Sequence, residues 1–377
     1  MKKVIITDLL ILAVFGSTCF WSVKKDRLTA SVDKMLTEQT SEDEEILVLT
    51  ANDLTKEKDQ EKRKGYIKWA EFTVSKFALT ESYEYDRDTY GKDRHISWID
   101  LLAWTAAHTG GKFGDDRTVC KCMEELEMEA EAGKKLEELT EDLEYFPYYR
   151  EVYETVLGGM VGEYEIEEPD AQGRKVTQKR YGLKAFHPIA KGFPYTDYDD
   201  FGASRSYGYR REHLGHDMMG QVGTPVVCVE SGYVEALGWN QYGGWRIGIR
   251  SFDKKRYYYY AHLRQGFPYQ PELKEGSVVL AGDVIGYMGH TGYSTKEDVN
   301  NIDQTHLHVG MQLIFDESQK DSDNEIWIDC YQIMGFLYRN QSETARNDET
   351  KEWRRIYEMK DPAAEKYERT LDFSMYP

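Results

Sequence analysis

Cysteine is scarce in this chain, with five in 377 residues. Cys19 lies in the N-terminal apolar run, Cys120 and Cys122 are too close for an ordinary bridge, and Cys228 and Cys330 stand alone, so no disulfide framework can be read. Cys120 and Cys122 have no second pair to complete a cysteine zinc site. Basic charge is also short: 48 Lys and Arg against 67 Asp and Glu, a formal net charge of −19. That balance excludes nucleic acid as a natural partner, because phosphate binding needs a basic surface. The chain has no internal repeat, no low-complexity tract and no wall-binding repeat. It also lacks an H-E-x-x-H helix motif, so any zinc site must be built on another element. Glu71 and Glu81 stand in a helical stretch without a glycosidase constellation and read as solvated.

What is present divides the chain into six expected segments. Lys2 and Lys3 precede an apolar run interrupted by Thr7 and Asp8, so residues 1–24 read as a signal peptide or a membrane anchor. In either case the rest is expected outside the cytoplasm, membrane-anchored or secreted. Residues 25–64 are charged and poor in aromatics, a stalk. Residues 65–164 carry helical periodicity, with Trp69, Phe72, Phe77, Tyr83, Trp98 and Trp104 as core. Residues 165–192 read as a hairpin linker turning at Pro169 to Gly173. Residues 193–318 are short β-rich runs punctuated by glycine, an all-β domain of sandwich or barrel-like type. Residues 319–377 are a helical extension. The expected fold class is α+β multidomain.

Two short runs carry chemistry. In His213-Leu214-Gly215-His216-Asp217, a strand would point His213, Gly215 and Asp217 one way and His216 the other. The glycine would leave room for an ion between imidazole and carboxylate. His306 and His308 share one face of a second strand. Two nitrogens and one oxygen, with a fourth position open to water, make the ligand set of a catalytic zinc. A third run, Tyr260-Ala261-His262-Leu263, ends an aromatic stretch.

The order H-x-x-x-D, Y-A-H-L, H-L-H resembles the LytM/lysostaphin-type zinc endopeptidases, the M23 metallopeptidases, which cut peptidoglycan cross-bridges. Gly223-Thr224-Pro225-Val226, Gly282-Asp283-Val284-Ile285-Gly286 and Thr291-Gly292 stand at matching places, and the resemblance runs over residues 195–313. It implies one Zn2+ held by His213, Asp217 and His308, with His262 and His306 catalytic. His306 is given the general-base role and His262 the orienting or oxyanion role, and the two are exchangeable at this point. It also implies a transition-state tyrosine, placed at Tyr207 with Tyr209 as competitor. The expected partners are stem or cross-bridge peptides of peptidoglycan, and the membrane through the N-terminal segment. The alternative is a non-hydrolytic wall-binding or scaffold protein of division or sporulation that keeps this fold. Residues 293–305 form a longer connection than such enzymes use and are expected to wall the substrate groove.

Overall fold

The computed structural model describes residues 66–206, 210–320 and 324–374. The expected anchor or signal segment, the whole of the expected stalk, and Tyr207 and Tyr209 lie outside the described residues. Among the described residues no helix is long and apolar enough to cross a membrane.

Helices come first, and their ends are written in the sequence. Ser75 caps the helix Lys76–Thr89 by accepting from the Ala78 amide, and Ser97 caps Trp98–Thr109 by accepting from that of Asp100. Gly110 closes the second helix at φ 63°, a left-handed position that suits glycine. Helices Asp116–Glu131, Leu136–Thr140 and Phe146–Leu157 follow.

The expected hairpin is present as β1 (Val161–Pro169) and β2 (Lys175–Leu183), paired in register along their whole length. After it come β3 (Thr196–Asp197), β4 (Ser204–Ser206), β5 (Arg210–Glu212), β6 (His216–Met219), β7 (Pro225–Val227), β8 (Gly232–Asn240), β9 (Gly244–Ser251), β10 (Arg256–Ala261), β11 (Val278–Val279), β12 (Val284–Tyr287), β13 (His306–Leu313) and β14 (Ile326–Ile328). Eight of these make one antiparallel sheet in the order β11-β8-β9-β10-β13-β6-β3, with β14 also on β13. The sheet is open, so the barrel-like expectation is corrected. Period-two alternation explains its two faces. In β13, Leu307, Val309, Met311 and Leu313 are buried in the core, while His306, His308 and Gln312 line a cleft. In β10, Tyr258 and Tyr260 are buried and Tyr257 and Tyr259 face that cleft.

The expected seam between a helical and a β domain does not show in the packing. The described residues fall in one compact unit, and a single core joins Leu79, Leu101 and Val156 of the helices to Ile249, Val309 and Met311 of the sheet. A helix face that buries against a sheet has the same period as one buried against other helices, so the sequence pattern does not separate the two cases. Arg256 of β10 fastens the join. Its Nη1 donates to the carbonyls of Thr155 (2.7 Å) and Glu154 (3.3 Å) in the last turn of the helix, the second of which also accepts from the Gly158 amide at 3.0 Å. Its Nε and Nη2 clasp Glu230 at 2.7 and 2.9 Å, and the Tyr258 hydroxyl donates to the same carboxylate at 2.7 Å. Gly159 passes so close that any Cβ there would overlap Glu230 Oε1.

The helical extension expected over residues 319–377 is also corrected. β14 joins the main sheet through Met311 and Ile328, so the closing helix starts only at Tyr331–Leu337. Strands β15 (Thr344–Arg346) and β16 (Trp353–Arg355) pair with each other, and β17 (Met359–Lys360) pairs with β1. Among the described residues only Pro362–Ser374 is helical beyond that. Strands of two or three residues are too short to show a period.

Candidate metal centre and its cleft

Three atoms converge at the centre of the sheet. Asp217 Oδ1 stands 2.9 Å from His308 Nδ1 and 3.1 Å from His213 Nε2, and the two nitrogens are 3.1 Å apart. Asp217 and His308 face each other because β6 and β13 pair them in register. His213 arrives differently from the expectation. It lies in the connection between β5 and β6, off the strand that carries Asp217, and the 200–203 turn pins its backbone: its amide donates to Ala203 O at 3.0 Å and its carbonyl accepts from Gly202 at 2.7 Å. Gly215 leaves room for a protein ring rather than for an ion, because a Cβ there would lie 2.5 Å from His308 Cε1.

The donor set suits a tetrahedral cation. His213 Nδ1 is turned outward, 3.3 Å from the Asp200 carbonyl in hydrogen-bonding geometry and 3.0 Å from that residue's Oδ1. Its lone pair is therefore on the inward Nε2. Corners of a tetrahedral zinc site with bonds of about 2.1 Å are about 3.4 Å apart, a few tenths of an ångström wider than this triangle. Arg205 bonds Asp217 Oδ2 at 3.2 Å and also pairs with Asp200.

Two further histidines flank the triangle. His306 Nε2 stands 3.8 Å from Asp217 Oδ1, and its Nδ1 donates to Gln304 O at 2.8 Å. His262 Nδ1 donates to Thr291 O at 3.0 Å, and its ring lies edge-on to His306 with centroids 4.6 Å apart. In both rings the bonded Nδ1 carries the proton and Nε2 is left as the basic atom. His262 holds a left-handed backbone (φ 62°), uncommon for a residue with a side chain. Its amide donates to Gly243 O at 2.7 Å and its carbonyl accepts from Gly289 at 3.0 Å, which holds that conformation.

Burial and charge act against each other here. Desolvation opposes ionisation of Asp217, but hydrogen bonds from His213 and His308 and the charge of the neighbouring imidazoles prevail, and its carboxyl sits far below the usual range. Burial also lowers His213, yet the Asp217 carboxylate raises it overall. His262 is pushed well below the ordinary imidazole value by burial and then by repulsion from His306 and His308, so it is neutral. Burial lowers His308 despite its bond to Asp217.

These groups line a cleft of about 870 Å³ with Arg211, Arg246, Tyr257 and Tyr259. His216 points away, as alternation requires, and bonds Asp197 at 2.9 Å. The 293–305 connection sends Tyr293, Ile302 and Gln304 into the cleft. Its Asp298 instead accepts from Trp245 Nε1 and the Gly266 amide, each at 2.8 Å, and Asn300 bonds Gln265. Asp200, Arg205 and the Gln304 carbonyl were not foreseen from sequence, since a loop residue reaching across many positions leaves no periodic trace.

Residues 211–322 match peptidase family M23. This chain carries an M23 peptidase domain. The M23 match contains His213, Asp217, His262, His306 and His308. Over 124 residues, 33% of this chain and 36% of the relative, it is 42% identical to the L-Ala–D-Glu endopeptidase of Bacillus subtilis (strain 168). Over 123 residues it is 32% identical to the glycyl-glycine endopeptidase ALE-1 of Staphylococcus capitis, covering 32% of this chain and 31% of that one. The chain thus spans about a third of each of these relatives. A solved structure described as a glycyl-glycine endopeptidase lytM of Ruminococcus gnavus aligns over 73% of this chain and 91% of its own, at 22% identity and a TM-score of 0.49, a likeness too distant to bear on function.

Proposed function

We propose that this protein is a zinc-dependent endopeptidase hydrolysing peptide cross-links of bacterial peptidoglycan outside the cytoplasm. The observation that carries the reading is the His213, Asp217 and His308 triangle with the basic Nε2 atoms of His262 and His306 beside it in one cleft. The M23 match and the endopeptidase names of the relatives support it. His213 Nε2, Asp217 Oδ1 and His308 Nδ1 would hold the ion. When bound, zinc polarises a scissile carbonyl and brings water near neutrality as a nucleophile.

The chain's own residues supply the rest. His306 Nε2, with Nδ1 locked on Gln304, accepts the proton of the attacking water and returns it to the leaving amine. His262, kept neutral by burial and fixed by Thr291, presents Nε2 to the same space and orients the water. Asp200 and Arg205 keep His213 and Asp217 in place.

Purified protein incubated with sacculi should release new amino groups without new reducing sugar ends. His308→Ala should lose both zinc and that release, whereas His306→Ala should keep zinc and lose turnover. Zinc-loaded wild type that binds sacculi and releases no amino groups would overturn the hydrolytic reading in favour of a scaffold.

A further inference from the structure

The cations of the cleft are almost all spoken for. Arg205 is paired with Asp200 and Asp217, Arg211 bonds the Tyr293 hydroxyl, and Lys320 meets Glu235 at 2.6 Å. Two of the acids there are engaged as well: Arg250 also approaches Glu235 at 3.5 Å, and Trp327 Nε1 donates to Glu325 at 2.7 Å. Arg246 is the exception. Its side chain has no hydrogen bond or ion pair to any described residue, and its Nη1 is closed off from solvent as well. A guanidinium nitrogen withdrawn from water without an acceptor is costly. In a chain with 67 acids and 48 bases, carboxylates to pair with it are abundant, and none is placed there.

Its position is set by register. On β9, Arg246 precedes Ile247, which pairs Tyr260, while Ala261, the residue after Tyr260, pairs His308. Continued by one residue, that register puts Arg246, Ala261, His308 and Asp217 in one cross-strand row on the cleft face. Two strand spacings, about 10 Å, separate the backbones of Arg246 and His308. An extended peptide advances about 3.3 Å per residue, so a group within two residues of a bond held at the triangle comes within reach of Arg246. Tyr259 lies beside it, and because its hydroxyl accepts from Asn240 at 3.0 Å, its own proton is left for an acceptor in the cleft.

We infer that Arg246 binds a free carboxylate on the substrate, next to the bond that is cut, and that the enzyme therefore selects anionic stem peptides over neutral glycine bridges. This rests on the hydrolytic reading above and names its substrate class. The two relatives' names span both alternatives, a D-Glu-containing peptide and a glycyl-glycine bond.

The test uses two peptides that differ only in a carboxylate or carboxamide on the residue adjoining the scissile bond. Wild type should prefer the carboxylate by about 10- to 100-fold in kcat/KM, the range of a charge-assisted hydrogen bond. Arg246→Gln should lose that preference by slowing only the carboxylate peptide, Arg246→Lys should recover part of it, and zinc content should stay the same in all three. Equal cleavage of the two peptides by wild type, or an equal loss on both in Arg246→Gln, overturns the assignment. Affinity for the uncleaved pair, measured on the His306→Ala variant, reads the same preference without turnover, and equal affinities also overturn it. Sacculi run alongside keep the two failures apart: digestion without carboxylate preference removes Arg246 alone, while undigested sacculi remove the hydrolytic reading.

Discussion

His262 is asked to be two things at once, a neutral imidazole lining the cleft and a residue in left-handed backbone. Such conformations cost on the order of 1–3 kcal/mol and persist where the surroundings enforce them. Here the backbone bonds to Gly243 and Gly289 do so. Asparagine accepts left-handed φ more readily than most residues. His262→Asn should therefore unfold within about 1 kcal/mol of wild type, relieved strain offsetting lost packing, while turnover falls at least about 100-fold. Urea unfolding and amino-group release measure the two. A large loss of stability would show that the ring, rather than the backbone bonds, holds this conformation. At this scale the sequence was most readable where a strand sets the spacing: His306 and His308 alternate onto one face as the H-x-H pattern requires. It was least readable for Asp200 and Arg246. The first reaches His213 through a turn, and the second is marked by the lack of a partner, which a sequence does not display.

Among the elements, β10 is the one that ties the cleft to the helices. Its cleft-facing tyrosines wall the substrate space, while Arg256 at its start holds the helix Phe146–Leu157 through Thr155 and Glu154. A buried ion pair is weak evidence of net stability, but removing one partner leaves the other uncompensated. Arg256→Met should destabilise the protein by about 3–5 kcal/mol, and adding Glu230→Gln should restore part of that, since the stranded carboxylate is then gone. Chemical denaturation of the single and double variants gives the comparison. If the single variant costs less than about 1 kcal/mol, the clasp is not what binds helix to sheet. The aromatic run predicted β10 well by its period, but nothing local announced that Arg256 would turn from its strand toward a helix about a hundred positions earlier in the chain.

For the whole molecule, the shared core has a direct consequence. Removing residues 66–157 would expose the apolar side chains that Leu79, Leu101 and Val156 now cover, so the remaining M23 part should aggregate or melt well below the intact chain. Sedimentation and a thermal scan of the truncated and full chains decide this. A monomeric truncated protein with unchanged melting would restore the boundary expected near residue 164. Composition and motifs made the β-rich part and its chemistry legible, because glycine-punctuated alternation is a local signal. The docking of the helices and the short strands of the last fifty residues were not legible, because both depend on contacts between distant segments.

The pairing of Ile166 with Met359 and of Glu165 with Lys360 closes the polypeptide on itself, with the cleft-bearing sheet strung inside the loop. The strands are antiparallel, and the two chain ends leave that pair on the same side. A pull applied at Met160 and Asp361, the residues that flank the pair, would therefore unzip it one residue at a time, the mechanically weak direction.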